Sequence, residues 1–464
     1  MITLTLAEIA EATEARLGGG AAESALVSGP VVVDSRQVVP GGLFVALPGE
    51  RVDGHDYARA AVKAGATAVL TGRELDVACL VVDDPQTALG RLARAVVDRL
   101  DVTVVAVTGS SGKTTTKDML AAVLSRLGPV VAPQGSFNNE VGLPLTALTC
   151  DESTQLLVSE MGARGRGHIA YLCEITPPDV SVVLNVGSAH LGEFGSRAAI
   201  GAAKAEIVRA LRPDGRAVLN ADDPVVAEMA EDSPAPVTMV GESASADVRA
   251  CDVRLDQGGR ASFRLSDATG QADVTLLAVG EHQVANAVSV AGVARHLGMP
   301  LPDVAAALSA AEPASRWRME VRERSDGVLV INDAYNANPE SVRAALKALV
   351  GIAGGRTSWA VLGEMRELGE ATLTEHDAIG RLAVRLNVSR LVAVGEGARA
   401  VHLGAAHEGS WGRESAWVPD GDAALAMLRD EVRAGDVVLV KGSRLVGLEA
   451  VAAALLAEDE EDAP

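Results

Sequence analysis

A short apolar run followed by a glycine-rich turn constrains this chain more than any other feature. Residues Thr103–Val107 (TVVAV) predict a buried strand, Thr108–Thr115 reads TGSSGKTT, and Thr115–Leu127 predicts a helix. Backbone N–H groups in such a loop, and at the start of the helix after it, point inward and bind phosphate oxygens. The sequence therefore predicts a P-loop between a strand and a helix.

Each loop residue type suits this task. Glycines let the backbone approach a phosphate without a Cβ clash, lysine reaches the β- and γ-phosphates, and the threonine hydroxyl suits Mg²⁺. The predicted ATP ligands in the loop are Gly109, Ser110, Ser111, Gly112, Lys113, Thr114 and Thr115. Val107 stands where the longer Walker pattern has glycine, so the loop fits the shorter G-x-x-G-K-T form. The alternative is a glycine-rich turn with a surface lysine.

The rest of the chain alternates short apolar strands with Ala- and Leu-rich helical stretches, the pattern of α/β units on mostly parallel sheets. A length of 464 residues is too great for one ordinary core. We predict three blocks, at 1–100, 101–312 and 313–464. Within the second, Asp247–Leu277 alternates without a long helix and resembles a small β-meander.

Composition excludes several classes of protein. The formal charge of −21 has the wrong sign for binding a nucleic-acid backbone, so no nucleic-acid partner is expected. No run of eighteen apolar residues occurs and the N-terminus lacks a leader pattern, which predicts a cytoplasmic protein without membrane insertion. The four cysteines lie far apart and are expected to be free thiols.

Polar residues follow two further strands of the second block, where the ligand-bearing edge of an open α/β sheet lies. Glu160 follows LLVS, and Asn185 and His190 lie in VVLNVGSAH. A carboxylate and an imidazole near phosphates can organise Mg²⁺; the alternative is a helix-capping Glu and a hydrogen-bonded His. Lys204, in AAKAEIV, is by itself more typical of a solvated helix lysine.

The third block offers a similar arrangement. Asp333 ends a predicted buried strand in VLVINDAYNANPES, where a carboxylate can bind a ribose hydroxyl, and Asn336 adds an amide. The same residues also suit an Asx turn that starts a helix. Arg318 in ASRWRME and Lys441 in VVLVKGSR are cations at strand or domain edges that can meet phosphate or carboxylate.

These motifs together resemble the Mur ligase family of bacterial cell-wall synthesis, from about Val33 to Leu445. The matching segments are TGSSGKTT, SFNNEVGLPLT (Ser136–Thr146), SEMG, NVGSAHL, AKAEI, GEHQVANAVSV, DAYNANPES and LGEMRELG. The resemblance implies a central P-loop domain with a mostly parallel sheet. An N-terminal uridine-nucleotide-binding α/β domain and a C-terminal Rossmann-like α/β domain would flank it.

Within the family, the motifs favour the member that adds D-alanyl-D-alanine to UDP-N-acetylmuramoyl-tripeptide, using ATP and Mg²⁺ through an acyl phosphate. The first block, DSRQVVPGGLFVALPGERVDGHDY, is similar to a uridine-nucleotide-binding domain, with Ser35 and Arg36 as predicted contacts. Folylpolyglutamate synthases share the central chemistry but lack such a domain. A P-loop switch protein would need neither this block nor the SFNNEVG and DAYNANP segments.

The resemblance also implies roles for single residues. Lys113 would stabilise the transferring phosphate, and Thr114, Glu160 and His190 would organise Mg²⁺. Lys204 matches a family lysine that is often carbamylated. The remaining implied contacts are Asn286, Asp333 and Arg318 to ATP, and Asn138, Asn139 and Asn336 to substrate. Choosing Arg318 over Arg316 rests on position alone. We expect a monomer.

Overall fold

The computed structural model describes residues 1–49, 52–187, 191–409, 412 and 414–461. Within these ranges the chain forms three large, mostly parallel sheets, each covered by helices, and a two-stranded ribbon near the N-terminus. The predicted α/β class is therefore confirmed. None of the described helices is long and apolar enough to cross a membrane.

The first unit has a sheet of strand order β2-β7-β6-β5-β4, parallel except between β2 and β7. Its elements are β1 (Leu4–Thr5), α1 (Leu6–Thr13), β2 (Arg16–Gly18), β3 (Leu26–Val27), β4 (Val31–Val32), β5 (Leu43–Val45), α2 (Ala58–Lys63), β6 (Ala68–Thr71), β7 (Cys79–Val81) and α3 (Pro85–Leu100). Before α2 a 3₁₀ turn forms at Gly54–Tyr57, because the Asp53 side chain accepts the His55 N–H.

The middle unit carries the P-loop on a sheet of order β16-β15-β14-β13-β12-β11-β8-β10-β9. Its strands are β8 (Thr103–Thr108), β9 (Val130–Val131), β10 (Leu156–Glu160), β11 (Val180–Val183), β12 (Arg216–Asn220), β13 (Val237–Gly241), β14 (Val248–Leu255), β15 (Arg260–Asp267) and β16 (Gly270–Val279). Its helices are α4 (Lys113–Leu124), α5 (Gly142–Ala147), α6 (His168–Ile175), α7 (Leu191–Phe194), α8 (Arg197–Lys204), α9 (Glu206–Arg209), α10 (Pro224–Glu228), α11 (Gln283–His296) and α12 (Leu301–Ala310). The meander predicted at Asp247–Leu277 is the antiparallel run β14–β16 at the sheet edge.

The third unit has the order β17-β18-β22-β19-β20-β21, antiparallel only between β17 and β18. Its strands are β17 (Glu320–Glu323), β18 (Leu329–Asn332), β19 (Ser358–Leu362), β20 (Arg390–Val394), β21 (Ser415–Val418) and β22 (Val437–Lys441). Its helices are α13 (Pro339–Ala353), α14 (Thr372–Arg385), α15 (Arg399–Glu408), α16 (Gly421–Glu431) and α17 (Glu449–Glu461).

The hydrophobic cores of the first and middle units are continuous, whereas the core of the third unit is mostly separate. Helix α3 packs on α5 and α6, so that Leu89 and Leu92 belong to the same buried cluster as Leu143 and Leu172. The first and middle units thus share one continuous core. The third unit has two clusters of its own, one on each face of its sheet, with Val279 the middle unit's buried contribution.

Helices α14 and α15 approach so closely that Gly380 has no room for a side chain. A Cβ at this position would lie 1.9 Å from the Val401 carbonyl oxygen. We predict that Gly380→Ala lowers the free energy of unfolding by about 2 kcal/mol, because the helices must separate. Chemical denaturation followed by tryptophan fluorescence measures this change, since Trp317, Trp359, Trp411 and Trp417 all lie in the third block.

Gly351 in α13 is the matched control. Nothing lies within 4 Å of a Cβ built there, and the position is inside a helix. Gly351→Ala should raise the free energy of unfolding by about 0.5–1 kcal/mol, since alanine loses less backbone entropy than glycine. Equal effects of the two substitutions would contradict the close approach of α14 and α15.

Candidate active site

The carboxyl ends of neighbouring parallel strands bring the site together. In the register of the middle sheet, Glu160 at the end of β10 lies beside Val107, and Thr108 at the end of β8 lies beside Val183 of β11. The P-loop, Glu160 and Asn185 therefore share one edge of the sheet, as the sequence predicted.

Asn185 and Asn286 hold the P-loop from two sides. The Asn185 Oδ1 accepts from the backbone N–H groups of Ser110 and Ser111, both at 3.0 Å, so these donors converge on one oxygen. Gly112, with φ of +82°, starts helix α4, and a Cβ there would lie 2.5 Å from the Asn286 Oδ1. The positive φ angle favours glycine at this position, and any larger residue would also displace the Asn286 side chain.

Two amines lie near the loop, one on the half-buried Lys113 and one on the buried Lys204. The Lys113 Nζ donates to the Gly109 carbonyl at 2.8 Å, and burial lowers the pKa of this amine despite the nearby Glu160 carboxylate. Lys204 ends α8 with 3% of its surface exposed. Burial, and then the charge of Lys113, hold the pKa of Lys204 well below 10.5. Such shifts are typical of functional sites.

Hydroxyl and carboxylate oxygens meet beside Lys113. The Thr114 Oγ1 lies 3.1 Å from the Ser136 Oγ, and the Asn138 Nδ2 donates to the Glu160 Oε1 at 2.8 Å. Glu160 is 1% exposed, and its Oε2 is buried without a hydrogen-bond partner among the described residues. Within those residues, no three His, Cys, Asp or Glu side chains form a ready-made metal cluster. The unpartnered oxygen of Glu160 suits Mg²⁺, which usually takes one or two protein carboxylates and completes its shell with phosphate and water.

Arg318 crosses from the third unit to the P-loop. Its Nη2 donates to the Thr114 Oγ1 at 2.8 Å and to the Ser136 Oγ at 2.9 Å, and its guanidinium stacks over the Tyr335 ring at 4.2 Å. Trp317 and Met319 on either side have positive φ angles of 60° and 51°. Non-glycine residues in this conformation cost about 1 kcal/mol or more each and cluster at functional sites.

Asp333 and Lys441 form a buried pair at the ends of β18 and β22. The Lys441 Nζ donates to the Asp333 Oδ2 at 2.6 Å and to the Asn336 carbonyl at 2.8 Å. The Asp333 Oδ1 accepts the Met319 N–H at 3.1 Å, which fixes the turn carrying Arg318. The cation at Lys441 thus meets a carboxylate, one of the two alternatives left by the sequence.

A cleft of about 800 Å³ lies between the middle and third units, within the range of small-molecule sites. Its lining includes most of the predicted residues: Ser110, Ser111, Gly112, Lys113, Thr114, Thr115, Asn138, Asn139, Glu160, Asn286, Arg318, Asp333 and Asn336. The Asn338 Nδ2 also crosses the cleft to the Ser110 carbonyl at 3.3 Å. Both units therefore build one site.

The other predicted residues lie elsewhere. Gly109 is buried within the loop, where a Cβ would lie 2.9 Å from the Leu184 Cβ. Lys204 does not line the cleft, and His190 lies outside the described residues. Ser35 and Arg36 lie on a 3₁₀ turn of the first unit, away from the cleft, and Arg36 pairs with Asp34 at 2.7 Å.

Two features of the site were not predicted from the sequence. Ser136 was noted only as the first residue of a motif, yet its hydroxyl contacts both Thr114 and Arg318. His376, buried in α14, accepts the Met365 N–H through Nε2 at 2.9 Å and so holds the loop whose Glu367 lines the cleft. Burial lowers the pKa of His376 and keeps the imidazole neutral for this contact.

Comparison with known families gives three adjacent matches. Residues 30–104 match the profile described as Mur ligase family, catalytic domain, and residues 107–294 match the Mur ligase middle domain. Residues 317–444 match the profile described as Mur ligase, glutamate ligase domain. The first two matches abut within β8, and the second and third are separated by residues 295–316, which lie between the last strand of the middle sheet and the first strand of the third.

Relatives that match this chain over nearly its full length belong to the same family. A UDP-N-acetylmuramoyl-tripeptide–D-alanyl-D-alanine ligase of Mycobacterium tuberculosis is 51% identical, with 99% of each chain covered. A crystal structure of MurF from Acinetobacter baumannii has a TM-score of 0.90 at 33% identity, covering 98% of this chain and 99% of that one. MurF from Thermotoga maritima in complex with ADP has a TM-score of 0.81 at 32% identity, covering 94% and 99%.

Proposed function

Because this chain belongs to the Mur ligase family, we propose that it joins D-alanyl-D-alanine to UDP-N-acetylmuramoyl-tripeptide, with ATP activating the tripeptide carboxylate. The product is the pentapeptide precursor of peptidoglycan. One observation carries the proposal: the P-loop of the middle unit and Arg318 of the third unit meet in a single cleft. We further propose that the reaction takes place in the cytoplasm, where ATP is available, and that one chain suffices.

ATP would lie with its phosphates along the P-loop and its nucleoside towards the third unit. The N–H groups of Ser110 and Ser111 and the amine of Lys113 would donate to phosphate oxygens, in exchange for their present acceptors, the Asn185 Oδ1 and the Gly109 carbonyl. Asn286 borders the loop and Asp333 faces it across the cleft, so both are candidates for nucleoside contacts. The relative from Thermotoga maritima was solved in complex with ADP, which supports adenine-nucleotide binding by this chain.

Magnesium fits the oxygen group beside Lys113. Thr114 and Glu160, with Ser136 added from the structure, would hold it, and the partnerless buried Oε2 of Glu160 supports this assignment. When bound, the ion supplies positive charge that neutralises the phosphate oxygens. The metal role of His190 stays a prediction.

Activation comes first because a free carboxylate is a poor acyl donor, with oxide as its leaving group. A carboxylate oxygen of the tripeptide attacks the γ-phosphorus of ATP, the bond to the bridging oxygen breaks, and ADP leaves with the electron pair. Lys113 and Arg318 both lie where they can hold the equatorial oxygens as charge shifts among them. The result is an acyl phosphate.

The amine of D-alanyl-D-alanine then attacks the acyl carbon, the carbon–oxygen bond to phosphate breaks, and the departing phosphate takes the proton that the amine loses. The contacts of Arg318 and Asn338 with the P-loop keep the third unit against the middle one. This closure excludes water, which would otherwise hydrolyse the acyl phosphate.

The uridine nucleotide would bind the first unit, residues 1–100, with the ATPase unit at 101–312 and the ligase unit at 313–464. Ser35 and Arg36 lie on an exposed turn and are available to a large ligand, although Arg36 must exchange its partner Asp34. Asn138 and Asn139 open towards the middle of the cleft, where the peptide end would arrive.

Phosphate release tests the function. Purified protein with ATP, Mg²⁺ and UDP-muramoyl tripeptide should release phosphate only when D-alanyl-D-alanine is also present, and the pentapeptide should appear by mass spectrometry. Release with glutamate and a folate, and none with the dipeptide, would replace the proposal with a folylpolyglutamate synthase.

Lys204 gives a separate prediction. Because burial and Lys113 lower its pKa, more of the amine is uncharged near neutral pH, and only the uncharged amine reacts with CO₂ to form a carbamate. We expect a carbamate resonance in ¹³C NMR with labelled bicarbonate, and its loss in Lys204→Arg together with a fall in activity. Full activity of Lys204→Arg would contradict a role for the modified side chain.

A further inference from the structure

A second lysine of the P-loop helix is buried away from the phosphates. Lys117 lies one turn after Lys113 on α4 and is 3% exposed. Its Nζ donates to the Pro133 carbonyl at 2.8 Å and pairs with the neighbouring Asp118. A buried ion pair adds little stability over apolar packing of the same volume, so stability alone does not explain a lysine here.

The acceptor of this hydrogen bond stands at the start of a functional segment. Pro133 follows β9, and the chain from there to helix α5 carries Ser136 and Asn138. Ser136 reaches Thr114, and Asn138 reaches Glu160. This segment, residues 133–139, therefore supplies a contact to each of the two strongest metal-ligand candidates, and Lys117 anchors its beginning to the helix that carries one of them.

We propose that Lys117 is a positioning residue, which sets the segment 133–139 so that Ser136 and Asn138 meet Thr114 and Glu160 at the reacting end of the nucleotide. It acts through these residues and touches neither ATP nor peptide. The lysine side chain is long enough to span the gap between helix α4 and this segment. The Pro133 carbonyl oxygen can only accept a hydrogen bond, so the residue that reaches it must carry a donor. The inference rests on the proposed ligase function for its kinetic consequence only.

Substitution of Lys117 by methionine tests the proposal, since methionine keeps the bulk and removes the donor. We expect kcat to fall about tenfold, and both KM for UDP-muramoyl tripeptide and the Mg²⁺ concentration for half-maximal rate to rise about tenfold. ADP affinity measured by calorimetry without Mg²⁺ should stay within twofold, because the P-loop itself is unchanged. Lys117→Arg, which keeps a donor, should recover part of the rate.

Hydrogen–deuterium exchange gives a readout independent of activity. Amides of residues 133–139 should exchange faster in Lys117→Met, while those of the P-loop keep their rates. This measurement tests the positioning role even if the phosphate-release assay rejects the ligase function. A failure of the positioning role can therefore be told apart from a failure of the proposed ligase function.

Arg295→Met is the matched control. Arg295 is also a largely buried cation of the middle unit, donating to Asp267 at 2.6 Å and to the Met299 carbonyl at 2.7 Å, away from the cleft. The Arg295→Met substitution should lower the melting temperature. It should change neither KM for UDP-muramoyl tripeptide nor the hydrogen–deuterium exchange of residues 133–139. If Lys117→Met behaves in the same way as Arg295→Met in KM, Mg²⁺ dependence and exchange, the positioning role is wrong and the lysine only stabilises the fold.

Discussion

Replacing Lys113 by alanine should reduce kcat/KM about 10³-fold or more, the largest loss we expect from one substitution. The amine lies near the Glu160 carboxylate and is already directed into the P-loop by its hydrogen bond to the Gly109 carbonyl. Once the substrates fill the cleft and displace water, its charge would act on the transferring phosphoryl group with little screening. Initial rates of phosphate release at saturating dipeptide measure the loss.

Lys347→Ala is a suitable control, because this lysine is exposed on helix α13. It should leave the rate within twofold and the fold intact. A Lys113→Ala protein that retains a tenth or more of the wild-type rate would mean that the P-loop does not hold the reacting phosphate.

The second large effect is expected at Arg318. Its guanidinium comes from the third unit yet donates to Thr114 and Ser136 of the middle unit, and it stacks on Tyr335. Arg318→Ala should lower kcat about 10³-fold, comparable to the loss of an arginine that stabilises a transferring phosphoryl group. KM for ATP should rise much less, since the loop donors remain.

Arg316 provides the comparison within the same turn. It is exposed and does not line the cleft, so Arg316→Ala should keep nearly the full rate. The pair of variants also tests the choice between the two arginines in ASRWRME, which the sequence motif alone left uncertain. A greater loss for Arg316→Ala than for Arg318→Ala would overturn our assignment.

Local sequence patterns were sufficient to predict the α/β class and to predict that most of the cleft residues in the middle unit lie close together. The P-loop is contiguous in the chain, and Glu160 and Asn185 follow apolar strands whose carboxyl ends meet at one edge of a parallel sheet. Strand and helix patterns therefore predicted that they lie together. The predicted family resemblance is confirmed by the comparisons.

Local sequence patterns could not predict the contacts between elements that are far apart in the chain. The hydroxyl of Ser136 and the guanidinium of Arg318 meet because two separately folded sheets face each other, and no periodicity encodes that orientation. His376 is separated from the Met365 N–H by a loop, so its role depends on the path of that loop. Likewise, Lys441 pairs with Asp333 only because β18 and β22 are neighbours in the sheet.

The core that the first and middle units share affects how the chain unfolds. Because helix α3 joins their cores, we expect the first two units to unfold together, and the third unit, with its own clusters on either face of its sheet, to unfold separately. Because every tryptophan lies in the third block, fluorescence reports that part, whereas circular dichroism reports the whole chain. Non-coincident unfolding curves from the two signals would thus reflect the division of the chain into a two-sheet body and a separable third unit.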